Sequence, residues 1–216
     1  MMTIALVDYG VGNLRSAQKA LEAAGADRVI VTRDPAVIRA ADRVVLPGVG
    51  AYGHCIGSLR EAGLEGPVLE AIASGRPFLG VCVGMQLLFE QGEEFGVHRG
   101  LGVLPGRVVH FRAAGLSAAD GLKIPHMGWS PVAPADGAVG GACPLFAGLA
   151  PGTYVYFVHS YVAVAVDPRQ IAGWATYGVR FPAAVAWQNV AGTQFHPEKS
   201  QAAGLALLRN FLGWRP

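Results

Sequence analysis

The sequence predicts an α/β fold: an open, mostly parallel, twisted sheet flanked by helices, with an antiparallel extension. Three observations carry this. Short apolar runs at Thr3 to Val7, Arg28 to Val31 and Arg43 to Leu46 alternate with stretches of helical spacing, and that alternation implies parallel strands joined by crossover helices. Glycine-rich segments, Gly10 to Gly12 and Pro47 to Gly53, stand where such runs end. From Ala113 onward the pattern changes to short strands and turns, which suggests the antiparallel part. A chain of 216 residues, 52% hydrophobic and 15% charged, can bury a real core. We expect one domain over 1–216. Such a composition is neither disordered nor typical of a nucleic-acid protein, and the net charge of +2 offers no basic face.

In order along the chain, the first strand gives way through Asp8-Tyr9-Gly10-Val11-Gly12-Asn13 to a helix from Leu14 that Gly25 stops. Gly10 and Gly12 would open a dinucleotide fingerprint, but Arg15 stands where its third glycine belongs, so a plain strand-to-helix turn is expected. Asp34-Pro35 opens a short helix between the second and third strands. Pro47 to Gly53 is too rich in glycine for helix. At the carboxyl end of a strand such a loop can present backbone N–H groups to an anion or a developing oxyanion. Helices are expected over His54 to Ala62 and Leu64 to Ser74, and another from Met85 to about Gln91. Gly96 to Gly106 reads as loop, Arg107 to Arg112 as strand, and Ala113 to Pro151 as a long glycine- and proline-rich connection. Tyr154 to Ala165 and Ala184 to Trp187 read as strands, and Gln201 to Leu212 as a terminal helix.

The centre of the pattern is Phe78-Leu79-Gly80-Val81-Cys82-Val83-Gly84-Met85-Gln86. An apolar strand, a cysteine between two glycines and a helical run together have the form of a nucleophile elbow, where a sharp turn holds a nucleophile above a sheet. A side chain at either glycine would crowd the turn. A thiol at a helix N-terminus also faces unpaired N–H groups that favour the thiolate. Cys55 and Cys143 are expected to be buried structural cysteines. No Cys-x-x-Cys pair suggests a disulfide framework or a zinc site. With neither a metal-ligand cluster nor a phosphate loop, no cofactor is expected. No apolar run reaches the ~18 residues of a membrane span. The N-terminus lacks the basic start and cleavage site of a signal peptide, so a cytoplasmic protein is expected.

A thiol nucleophile needs a base, and the base needs a group that fixes its orientation. His196 and Glu198 supply these roles: two residues apart in an extended backbone, they share a face, with Pro197 holding the chain between them. Among the other histidines only His159 occupies a plausible strand position. It has no carboxylate two residues away and ranks second.

The elbow Gly80-Val81-Cys82-Val83-Gly84-Met85-Gln86 and the segment Gln194-Phe195-His196-Pro197-Glu198-Lys199 resemble the class I, triad-type glutamine amidotransferases, whose fold is flavodoxin-like. Within that family, Asp8-Tyr9-Gly10-Val11-Gly12-Asn13, Leu46-Pro47-Gly48-Val49-Gly50, Pro125-His126-Met127-Gly128-Trp129 and His159-Ser160-Tyr161 look like the glutaminases of histidine biosynthesis that serve a separate (β/α)₈ cyclase. Val81 and Val83 stand where Ile and Leu are commoner, and Thr193 takes a usually aliphatic place. The resemblance implies that Cys82 attacks the side-chain amide of L-glutamine, that His196 moves the protons and that Glu198 orients it. It implies an oxyanion hole from the backbone N–H of Val83 and one from Val49 or Gly50. Gln86, Glu94, Ser160 and Tyr161 would hold the glutamine, with Gly50 leaving room. The cyclase subunit would be the heterodimer partner, at an interface including Asn13, Trp129 and Lys199, with no nucleic acid or membrane involved. Two other roles fit the same elbow: a class I glutaminase for another biosynthetic synthase, or a noncatalytic binding subunit.

Overall fold

Strand β1 (Thr3–Val7) lies inside the parallel half of the main sheet, between β2 (Arg28–Thr32) and β3 (Arg43–Gly48). Next to β3 comes β4 (Phe78–Cys82), with Gly48 opposite Cys82, and then β13 (Val190–Thr193), with Thr193 opposite Val81. All four pairings are parallel, and β3, β4 and β13 are buried along their whole length. Strands covered on both faces read as unbroken apolar runs, which is why the sequence announced them. The connecting helices are α1 (Leu14–Ala23), α2 (Pro35–Ala40), α3 (Tyr52–Glu61) and α4 (Glu65–Ala73), and α6 (Gln201–Gly213) ends the fold. Asp34 caps α2 by accepting from the Ala36 N–H at 2.8 Å, with Pro35 in the first turn. This computed structural model describes residues 2–135, 144–164 and 166–216.

Beyond β13 the sheet continues antiparallel through β12 (Val179–Trp187), β11 (Ile171–Tyr177), β8 (His126–Pro134) and β9 (Thr153–His159). The nine-stranded order is β2-β1-β3-β4-β13-β12-β11-β8-β9. A second, four-stranded sheet holds β10 (Tyr161–Val164), β7 (Leu104–His110), β5 (Phe89–Gly92) and β6 (His98–Arg99), in that order. No helix among the described residues is long and apolar enough to cross a membrane.

Three local expectations are corrected, and one strand escaped the sequence reading. The elbow helix α5 (Val83–Gln86) is one turn long, not a helix to Gln91. Leu87, Leu88 and Phe89 are consecutive and all fully buried, which a one-sided helix cannot achieve, and the chain turns instead into the second sheet. Helix α3 begins inside the glycine-rich loop, at Tyr52, and includes Gly53, where a Cβ would lie 2.6 Å from the His98 ring. Tyr154 to Ala165 is not one strand: the chain breaks at Ser160, β9 joining the main sheet and β10 the second. Strand β11 was not legible, since register shifts around Gly173 interrupt its alternation. Cys55 is buried as a free thiol, and Cys143 lies outside the described residues.

Candidate active site

The elbow is built by three glycines, not two. Cys82 has φ 54° and ψ −113°, outside the regions where a side chain rests comfortably. That conformation turns β4 back over the end of β3. A Cβ on Gly84 would collide with the Leu46 carbonyl, and one on Gly80 would lie 2.6 Å from the Gly84 oxygen. Gly48, the last residue of β3, closes the stack, with its notional Cβ 2.7 Å from the Gly84 nitrogen. Because α5 is a single turn, its dipole offers Cys82 little. The charge partner comes from β13 instead.

His196 follows the end of β13, anchored where its N–H donates to the Tyr156 carbonyl at 2.9 Å. Its own carbonyl accepts from Ser200 Oγ at 2.7 Å. The following residues are not extended, as the two-residue spacing suggested. Pro197–Lys199 form a single 3₁₀ turn, and this curl brings the Glu198 carboxylate to 2.7 Å from His196 Nδ1. Both side chains are almost wholly buried. Burial alone would lower the imidazole pKa, but hydrogen bonds to Cys82 and Glu198, reinforced by their charges, outweigh it and carry His196 up to about 10. At neutral pH the proton therefore sits on the imidazole, between sulfur and carboxylate.

Beside this group lies a cavity of about 350 Å³. Val49, Gly50, Val83, Gln86, Glu94, Ser160, Tyr161 and Lys199 line it together with Cys82 and His196. Glu94 accepts from the Tyr52 N–H at 2.7 Å, which ties it to the first turn of α3. Gln86 is 3% exposed and commits its amide N–H groups to the Tyr161 carbonyl and to Gln194 Oε1. The Val49 carbonyl accepts from the Cys55 thiol at 3.2 Å, so the Gly50 N–H, on the opposite edge of that trans peptide, points away from Cys55. Gly50 itself has φ +91° and open space around it.

Two of the expected interface residues meet around one ring. Trp129 lies edge-on to Tyr156 at 6.0 Å between centroids, and Lys199 Nζ is 5.8 Å from the same ring. Asn13 is exposed ahead of α1, and its side chain makes no cap there. His159 also lines the cavity, but burial pushes its pKa down to about 3. Sequence reasoning missed Gln194, which is fully buried with Nε2 3.8 Å from Cys82 Sγ. The signal present was the motif itself, since Gln194 stands two residues before His196 just past the end of β13.

Fold and site together have the form of an α/β thiol hydrolase, with a cysteine on a strained turn and an imidazole–carboxylate pair beside it. Residues 5–213 match the model of the glutamine amidotransferase class-I family. The chain is 55% identical over 206 residues to the imidazole glycerol phosphate synthase subunit HisH of Salinibacter ruber, covering 95% of this chain and 92% of that one. It is 51% identical over 219 residues to the same-named subunit of Methylococcus capsulatus, covering 100% and 98%. Among solved structures, PurLQS from Thermotoga maritima superimposes with a TM-score of 0.72 at 19% identity, over 98% of this chain and 97% of that one, a likeness of fold alone. The chain belongs to the class I glutamine amidotransferases and, within them, to the HisH family.

Proposed function

We propose that this chain is the glutaminase subunit of imidazole glycerol phosphate synthase in histidine biosynthesis, acting as one domain over 1–216 in the cytoplasm. The observation that carries the chemistry is the position of His196, paired with Glu198 at 2.7 Å and lining one cavity with Cys82. The full-length identity with the HisH subunits supports the pathway.

In the proposed reaction the Cys82 sulfur attacks the carboxamide carbon of L-glutamine. The oxyanion that forms takes hydrogen bonds from the Val83 N–H and from one N–H of the Val49-Gly50 segment. His196 gives its proton to the departing nitrogen, and ammonia leaves a thioester on Cys82. His196, now neutral, takes a proton from water as the water attacks the thioester, and glutamate departs. Glu198 holds the imidazole in one tautomer throughout. Glutamine is held by Gln86, which has only its amide oxygen left to offer, and by Glu94, Ser160 and Tyr161. Gly50 leaves space for it. The ammonia passes to a separate (β/α)₈ cyclase subunit, which makes imidazole glycerol phosphate and AICAR. That partner docks over Asn13, Trp129 and Lys199.

The test is glutamate release from glutamine by the chain alone, and with the cyclase subunit and its nucleotide ligand, with Cys82→Ala as control. Release that rises with the liganded partner and vanishes in the variant supports both the triad and the coupling. Release that persists in Cys82→Ala sinks the triad. Release that the partner never changes sinks the coupling.

A further inference from the structure

Behind the cavity lining runs a series of polar groups of which the proposed chemistry uses only Gln86. Gln194 Nε2 points at Cys82 Sγ across 3.8 Å, and sulfur is a weak acceptor that strengthens as it gains negative charge. Gln194 Oε1 accepts from Gln86 Nε2 at 2.9 Å. That amide's nitrogen also donates to the Tyr161 carbonyl at 3.2 Å. The same carbonyl lies 2.9 Å from His159 Nδ1. Behind it, His159 Nε2 is 3.0 Å from His126 Nδ1, and His126 Nε2 is 2.8 Å from Ser130 Oγ.

The hydrogens in this series can be placed by elimination. A carbonyl only accepts, so His159 Nδ1 carries the hydrogen it shares with Tyr161. Burial pushes the pKa of His159 down to about 3 and that of His126 to about 4, so each ring is neutral near pH 7 and holds one N–H. His159 Nε2 must then accept from His126 Nδ1–H, and His126 Nε2 must accept from the Ser130 hydroxyl. Each of these groups is matched, and the Tyr161 carbonyl is where the two arms converge. Apolar rings hold the middle in place: His126 stacks on Tyr177 at 4.1 Å and on Phe157 at 4.8 Å. The outer end is Ser130, half-buried on β8 beside Trp129, on a strand whose Met127 and Trp129 are exposed. The Tyr161 carbonyl lies just past Ser160, where the chain leaves the main sheet for the second.

We propose that this hydrogen-bonded series positions the Cys82 sulfur from the covered face of β8, with Gln194 as the positioning residue at its inner end and Ser130 as its far end. Met127 and Trp129 lie on the opposite, exposed face of the same strand, so a body docked there acts on Ser130 and His126 by shifting the β8 backbone. It thereby alters one of the two bonds at the Tyr161 carbonyl, and with it the plane of the Gln86 and Gln194 amides. The inference rests on the reading of Cys82 as nucleophile.

The test uses the full-length chain, with two readouts: the rate at which iodoacetamide alkylates Cys82, and the kcat and KM for glutamine in the complex with the cyclase subunit. Gln194→Met, close in shape but without the amide, is expected to slow alkylation and lower kcat by about three- to tenfold, the range of one hydrogen bond, with KM little changed. Ser130→Ala, at a half-buried surface position, is expected to slow alkylation by about twofold, and Ser130→Thr to restore it. If the series is continuous, the double variant is no slower than Gln194→Met, because the effect of Ser130 must pass through Gln194. Effects that multiply would overturn the proposal, as would full alkylation rates in either single variant. Should Gln194→Met not fold, Ser130→Ala and its rescue by threonine decide alone. Glutamate release surviving in Cys82→Ala would point elsewhere, to failure of the underlying triad, while the alkylation data would still judge the series.

Discussion

Three buried histidines line or back the cavity, and the two halves of the main sheet hold them in opposite states. At the end of the parallel half, His196 keeps its proton up to about pH 10. In the antiparallel half, His126 and His159 stay neutral down to about 4 and 3. Burial acts on all three in the same direction, against the charged form. The partners differ: a carboxylate for His196, whose charged form the Cys82 sulfur also favours, but a hydroxyl, a carbonyl and each other for the pair. A buried imidazole becomes a proton carrier only where the fold also brings an anion. The parallel half can do that because its strands all release their loops at one end, with Gly48 opposite Cys82 and Thr193 opposite Val81. The antiparallel half contributes Val158 and His159 to the cavity lining and carries the exposed Met127 and Trp129 of β8.

The contrast can be broken in order of effect. Removing the nucleophile from the parallel half, Cys82→Ala, is expected to lower glutamine turnover by about 10⁴-fold or more, measured as glutamate release in the complex. Glu198→Gln removes the anion while keeping the shape. It should cost about 10²- to 10⁴-fold in kcat and bring the His196 titration down from about 10, read from the imidazole NMR signals. The sign for stability follows: a raised folded value contributes fully below the unfolded value near 6.5 and is lost as pH rises towards 10. The alkaline fall in melting temperature should therefore be shallower in Glu198→Gln than in the wild type.

On the antiparallel side the expected effects are on binding and stability. Trp129→Ala should weaken association with the cyclase subunit by about 30-fold, the size of one exposed aromatic anchor, by calorimetric titration. An unchanged dissociation constant would move the interface off β8. The smallest effect concerns acid. For His126 and His159 the folded values are lowered, so their contribution to stability is whole above about 6.5 and drains away as pH falls through 4 and 3. His126→Gln, which never charges, should show a shallower drop in melting temperature between pH 7 and pH 4. A drop as steep as the wild type's would mean that the pair is not held neutral.

The same division governs what could be read from the chain. Strands β1, β3 and β4 are unbroken apolar runs because both faces are covered, and the cysteine between Gly80 and Gly84 needs that spacing for a turn that no larger residue fits. Those features are local, and so they are visible. Strand β8 alternates strictly, but its covered positions hold His126, Gly128 and Ser130 while Met127 and Trp129 are exposed, and Ile171–Tyr177 slips register, so neither announces itself by hydrophobic period. The pairing of His196 with Glu198 was expected for a reason the structure corrects, since the spacing of two is served by a 3₁₀ turn rather than an extended strand. The role of Gln194 is not legible along the chain, because its partners, Gln86 and Cys82, lie 108 and 112 residues away.

By itself the sequence determined the α/β class, the elbow at Cys82 and the residues that would serve it, because each follows from short-range sterics, from hydrophobic period or from a motif. Only the tertiary structure decided which buried imidazole holds a proton, where Gln86 spends its amide, and that a row of hydrogen bonds joins the face of β8 to the sulfur. Those are properties of side chains from distant strands brought together out of water, where burial and the nearest partner set the energy and distance along the chain counts for nothing.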